Sequence, residues 1–154
     1  MADLAFKDKN GVYYIVDVKT HRTETKFNMP NLTSVERIAK FYEEDEKNEK
    51  DSKFFTVLFI SYNISGLKVE VSNVIFAPIE YISWKCLTIG ALGWGQIQIV
   101  NSNEILLKHG YSRKQWMLEL CDVMLKFYPK EIEKIGKRIS RFQTVKSSWE
   151  NKIE

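Results

Sequence analysis

The run Tyr13-Tyr14-Ile15-Val16-Asp17-Val18-Lys19 limits what this chain can fold into more than any other stretch. β-Branched and aromatic side chains in succession favour a half-buried strand. Side chains alternate along a strand, so Asp17 and Lys19 project to one side while Val16 and Val18 project to the other. Ionised groups leave water only with partners or a metal, so a charged pair on such a strand needs a reason. An acid followed two residues later by Lys also occurs at Glu24, Asp45, Asp51 and Glu150, all in polar surroundings. Asp17 and Lys19 alone extend an apolar run. A strand end passing into solvent and a chemical site both remain open readings of that pair.

If the pair is a site, its chemistry is specific. A carboxylate can hold a hard divalent cation, and a neighbouring ammonium can hold a water or a phosphate oxygen. Metal-assisted phosphodiester hydrolysis uses both. Asp3, upstream on the first strand of the expected hairpin, is a candidate second ligand.

With 154 residues, 44% hydrophobic and 28% charged, the chain suits one globular domain with a real core. The expected extent is 2–146, with 147–154 as a tail. Net charge is only +3, but Lys126 to Lys146 carries seven basic residues against two acids. A basic face or an ordinary solvated helix surface would give that asymmetry. Cys86 and Cys121 lack the spacing of a zinc site or a disulfide framework and read as reduced thiols. With no leader-like segment and no apolar run of spanning length, the sequence points away from a membrane and towards the cytoplasm.

Along the chain, 2–6 and 12–19 read as strands joined across Asn10-Gly11, and a polar loop follows from Thr20 to Asn31. Thr33 with Glu36 reads as a capping box opening a helix. Phe54–Tyr62 and Leu67–Phe76 read as a strand pair, Tyr81–Leu87 as a short helix and Gln96–Val100 as a last strand. Ser112 with Gln115 is a second capping box, opening a helix with Trp116, Leu120 and Met124 inward. Pro129 ends that helix, and Ile132, Ile135, Ile139 and Phe142 define another amphipathic one, whose stripe is core or dimer surface. The fold class is α/β in the α+β sense. Nucleophile chemistry finds no support: His21 and His109 lack a Ser or Cys signature, and Gly90–Gly95 lacks the Lys of a P-loop. His21 reads as an exposed loop residue.

Asp3 together with Asp17-Val18-Lys19 resembles the pattern of the PD-(D/E)XK nuclease superfamily. Pro30-Asn31 before a helix, Tyr81-Ile82-Ser83-Trp84 and Gln96-Ile97-Gln98 resemble, in order, islands of HincII-type type II restriction endonucleases. The resemblance implies a restriction-endonuclease-like mixed central sheet flanked by helices. It implies Mg²⁺ as cofactor, double-stranded DNA as substrate and a homodimer as the working form. Asp3 and Asp17 would bind the metal, and Lys19 would orient or deprotonate the attacking water. Thr20 and His21 open the stretch that enters DNA in the family. Asn28 stands where the family has a penetrating Gln, Asn31 matches an Asn near the recognition site, and Ser83 replaces a base-reading Asn. Only Met1 and Ala2 precede Asp3, whereas the family has a helix-bearing region there. The expectation is therefore a fragment or truncated form, with a non-catalytic DNA-binding or assembly subunit as the alternative.

Overall fold

A computed structural model describes residues 3–25, 30–43 and 53–152. Among the described residues, two sheets and two helices make a mixed α/β fold. Contacts divide the chain into two compact units, Met1–Trp116 and Met117–Glu154.

In the first unit, β1 (Leu4–Lys7) and β2 (Tyr13–Arg22) form the expected hairpin. Gly11 takes φ 82°, which the turn demands and a Cβ would resist. β2 runs three residues beyond the expected end, because Thr20, His21 and Arg22 keep pairing with a parallel neighbour. That neighbour is β4 (Lys53–Ser65), which turns back into β5 (Lys68–Pro78). The sheet order is β1-β2-β4-β5, mixed as expected.

Between β2 and β4 lie β3 (Asn31–Ser34) and α1 (Val35–Glu43). The helix begins two residues later than the capping-box reading. Thr33 is held in a sheet opposite Ile97, and Ser34 Oγ instead accepts the Arg37 amide at 3.2 Å. The glycine-dense segment has a structural use here: Gly95, at φ 106°, offers its carbonyl to the Val35 amide at 3.0 Å. That satisfies one of the orphan donors of the helix start. β6 (Leu87–Gly90) and β7 (Gln96–Ile99) complete a second sheet of order β3-β7-β6. The helix expected over Tyr81–Leu87 is instead two 3-10 turns, Ile79–Tyr81 and Trp84–Cys86, interrupted by an Ile82–Leu107 bridge.

In-register pairing of β2 with β4 puts Asp17, Lys19 and His21 on the same face as Val57, Phe59 and Ser61. Phe55 lies on this face too, under Phe41 and the Arg37 guanidinium of α1. Phe55, Val57, Phe59 and Ile38 are buried, so the core sits here. The opposite face carries a ladder of Phe6, Tyr14 and Phe54, with ring centroids 5.1 and 5.6 Å apart. A bulge at Ser61/Tyr62 keeps that face consistent. By skipping one residue it sets Val69 and Val71 on the side of Val74 and Phe76, where strict alternation would have split them.

The last helix, α2 (Arg113–Glu150), is continuous where two helices and a tail were expected. Pro129 lies inside it. A proline removes one helical amide and strains the preceding turn. The carbonyl left without a donor is that of Leu125, which is 73% exposed, so water can take the bond. The Ser112–Gln115 box forms as read: Ser112 Oγ accepts the Gln115 amide at 3.2 Å and Gln115 Oε1 accepts the Ser112 amide at 3.2 Å. Ser112→Ala should cost about 1 kcal/mol, measured by chemical denaturation. Among the described residues no helix is long and apolar enough to cross a membrane.

Candidate active site

Asp17 is 6% exposed at the middle of β2, and Lys19 Nζ reaches back along the strand to 2.7 Å from its Oδ2. The contact is a close ion pair without hydrogen-bond alignment, since that oxygen accepts no aligned hydrogen bond among the described residues. Lys19 is partly open to solvent. The charged pair is thus accommodated in a core-facing position by its own partner, not by fraying into water.

Asp3 is exposed and precedes β1. Its amide donates to the Val16 carbonyl at 3.1 Å, and its Oδ2 accepts the Val18 amide at 2.7 Å. The β1–β2 pairing starts at Leu4–Val16, and Asp3 lies in a bend just before it. The Asp3 carboxylate is tied over the β2 backbone at Val18, one residue along from Asp17.

His21 differs from expectation. It is 2% exposed, on the Asp17/Lys19 face, because β2 continues through it. Its Nε2 lies 3.1 Å from Asn103 Oδ1, and its Nδ1 has no hydrogen-bond partner among the described residues. Asp17, Lys19 and His21 thus occupy alternate positions of one strand face. Thr20 points to the other side and is exposed.

The remaining sequence candidates lie elsewhere. Asn31 is exposed on the second sheet, its Oδ1 accepting from Gln98 Nε2 at 2.5 Å. Ser83 is buried and spends its hydroxyl on the Lys85 amide at 3.2 Å, capping a 3-10 turn. A base-reading Asn needs an outward amide; this serine is turned into its own backbone. Asn28 falls outside the described residues. Trp84 packs on Trp116 at 5.2 Å and donates its indole N–H to the Trp116 carbonyl, so it is an internal contact rather than a base-stacking surface.

Sequence reading missed a second polar cluster. Glu80, 2% exposed, accepts from Tyr42 Oη at 2.6 Å through Oε2. Its Oε1 accepts from Arg113 Nε and Nη2, both at 3.2 Å. Nη2 also donates to the Lys53 carbonyl at 2.7 Å, and the guanidinium lies over the Tyr42 and Phe54 rings. The residues come from α1, a 3-10 turn, β4 and the start of α2, too far apart in sequence for spacing to link them. A lone Glu in Ile79-Glu80-Tyr81, flanked by apolar residues, was the available signal.

Burial, and then the Glu80 carboxylate, pushes the Tyr42 phenol well above its ordinary 10.0. The unfolded chain loses this proton above about pH 10 while the folded chain keeps it. The stabilisation is therefore complete below pH 10 and declines above it, by about 1.4 kcal/mol per pH unit. Urea titrations at pH 9 to 11 should show a steeper alkaline loss for the wild type than for Tyr42→Phe.

No protein-family model matches the chain, and no curated protein matches it either. The chemistry of the site therefore rests on its own donors. Among the described residues no three of His, Cys, Asp and Glu stand together as metal ligands. Mg²⁺ does not need three: it is commonly held by one or two carboxylates, with water and phosphate oxygens completing the octahedron. Asp17, with the Asp3 carboxylate bound to the neighbouring Val18 amide, supplies carboxylates of that kind.

Proposed function

We propose that this chain is a nuclease, specifically a Mg²⁺-dependent endonuclease of the type II restriction class acting on double-stranded DNA, or the catalytic part of one. The observation that carries the reading is the Asp17–Lys19 pair, side by side on a core strand, with the Asp3 carboxylate bound to the intervening Val18 amide. Asp17 and Asp3 would hold Mg²⁺, which when bound lowers the pKa of water and offsets charge developing on the phosphate. Lys19 Nζ, 2.7 Å from Asp17, would donate towards a water or a phosphate oxygen. Its partial exposure leaves the ammonium open to substrate. Burial of Asp17 keeps bulk water from competing for its carboxylate. Two copies acting on a palindromic duplex, in the cytoplasm, belong to the same proposal.

A second reading is a non-catalytic DNA-binding or assembly subunit. It is favoured by the closure of Lys19 onto Asp17 at 2.7 Å, which occupies both charges. Incubation of the chain with mixed duplex DNA and Mg²⁺, beside Asp17→Ala, separates the two. Metal-dependent cleavage lost in the variant supports the nuclease. DNA affinity that falls as salt rises, without cleavage, supports the binding subunit. Neither cleavage nor salt-dependent affinity removes both.

A further inference from the structure

The surface of α2 carries a pattern that the nuclease reading does not use. Starting at Leu118 and Cys121, positions spaced alternately by three and four residues recur every seven residues as far as Lys146 and Trp149. Between them fall Leu125, Tyr128, Ile132, Ile135, Ile139 and Phe142, so that Lys146 alone interrupts an apolar series. The stripe lies in the open: Ile132 is 69% exposed, Phe142 72% and Trp149 65%. A stripe that packs on a globular core follows the 3.6-residue period. A strict seven-residue repeat instead drifts about 20° per heptad around a straight helix and stays in register only with a helix that supercoils around it.

We infer that Leu118–Trp149 pairs with the same segment of a second copy in an antiparallel two-stranded coiled coil. The choice of a second copy rests on complementarity of the stripe with itself. Setting Ile132 against the partner's Ile135 fixes every other layer. Ile139 then meets the partner's Tyr128, Leu125 the partner's Phe142, and Leu118 the partner's Trp149. Lys146 meets the partner's Cys121, a small exposed thiol past which its stem can extend. A flanking position agrees. Glu131 faces the partner's Arg138, and the two-fold axis makes this contact twice.

A parallel arrangement stacks Lys146 on the partner's Lys146 inside the seam and leaves Glu131 opposite Gly136. In the single chain Glu131 is paired with Lys134 at 2.6 Å, while Arg138 takes no part in the neighbouring ion pairs. Lys134 is exposed, so its pair with Glu131 can be shared with a second cation. The contact runs about 48 Å at 1.5 Å per residue, long enough for a stable two-stranded seam. It does not depend on the chemistry proposed for β2.

Sedimentation equilibrium of the full chain should give a dimer at micromolar concentration. Ile132→Glu and Ile139→Glu should each raise the dissociation constant at least 100-fold. Both positions are exposed in the single chain, so far-UV circular dichroism and thermal unfolding at low concentration should change little. Orientation is read by disulfide trapping with a mild oxidant. In the antiparallel dimer the two copies of Cys121 are separated by roughly 38 Å, so wild type gives no linked dimer. Lys146→Cys should give one, and Lys146→Cys combined with Cys121→Ser should not. A chain that stays monomeric, a dimer indifferent to both glutamate substitutions, wild-type cross-linking through Cys121, or a linked dimer in the double variant would each overturn the inference.

Discussion

Arg113→Ala should lower the free energy of unfolding by about 3–5 kcal/mol, the usual cost of stripping one partner from a buried charge pair. Glu80 is 2% exposed, and both of its carboxylate oxygens are engaged: Oε2 by Tyr42, Oε1 by Arg113. Removing the guanidinium leaves an anion with one neutral donor in a site closed to water. The same change frees the Lys53 carbonyl and uncovers two aromatic rings. Arg113→Lys should recover only part of the loss, because an ammonium cannot bond Glu80 and Lys53 from a planar fork while stacking on both rings. Arg113→Leu with Glu80→Leu should come out more stable than either single variant, since no charge is then stranded. Urea denaturation of the four variants measures this order. A loss below about 1 kcal/mol for Arg113→Ala would show that water reaches Glu80 and that the cluster is not a clasp.

How much of this was legible in the sequence depended on the range of the interactions that decide each element. The β1–β2 hairpin and the Ser112–Gln115 cap are settled within a few residues, and both were readable. The end of β2 was not. Thr20, His21 and Arg22 look like loop, and only pairing with Ser61 and its neighbours on a strand far along the chain makes them strand. That error carried His21 with it, from an exposed loop residue to a buried member of the Asp17/Lys19 face. Pro129 was a local rule applied where exposure relaxed it: a lost amide costs little when its carbonyl partner can turn to water. The heptads of α2 were visible only in part, because ending the helix at Pro129 cut the repeat in half.

The site divides in the same way. Asp17 and Lys19 were readable because alternation along one strand is local, and the structure brings them to 2.7 Å. Asp3 was readable as close to β2 because the hairpin joins the two, and its carboxylate accepts the Val18 amide. Asn31 and Ser83 came from resemblance alone, and their surroundings, a Gln98 contact in the second sheet and an internal cap, do not join them to Asp17. Glu80, Tyr42 and Arg113 carried no spacing at all.

Lys19→Met should reduce cleavage by two to four orders of magnitude if the proposed nuclease is correct, the range expected when a positioned proton-handling group is lost. Methionine is unbranched and nearly as long as the lysine stem, so packing against the strand face is largely preserved. The stability cost should be small, because Lys19 is partly solvated and Asp17 can draw water into the space left by the ammonium. DNA affinity should fall only modestly, since one phosphate-facing charge out of many changes the salt slope by about one unit. The pairing also supplies a control. If Asp17 and Lys19 serve only to neutralise each other, Asp17→Asn with Lys19→Met leaves two uncharged groups and should match the wild type in every assay. If they act on a phosphodiester, that double variant folds as well as the wild type yet cleaves no better than Lys19→Met. A wild-type cleavage rate in Lys19→Met would remove the lysine from the mechanism, and a wild-type rate in the double variant would remove the site.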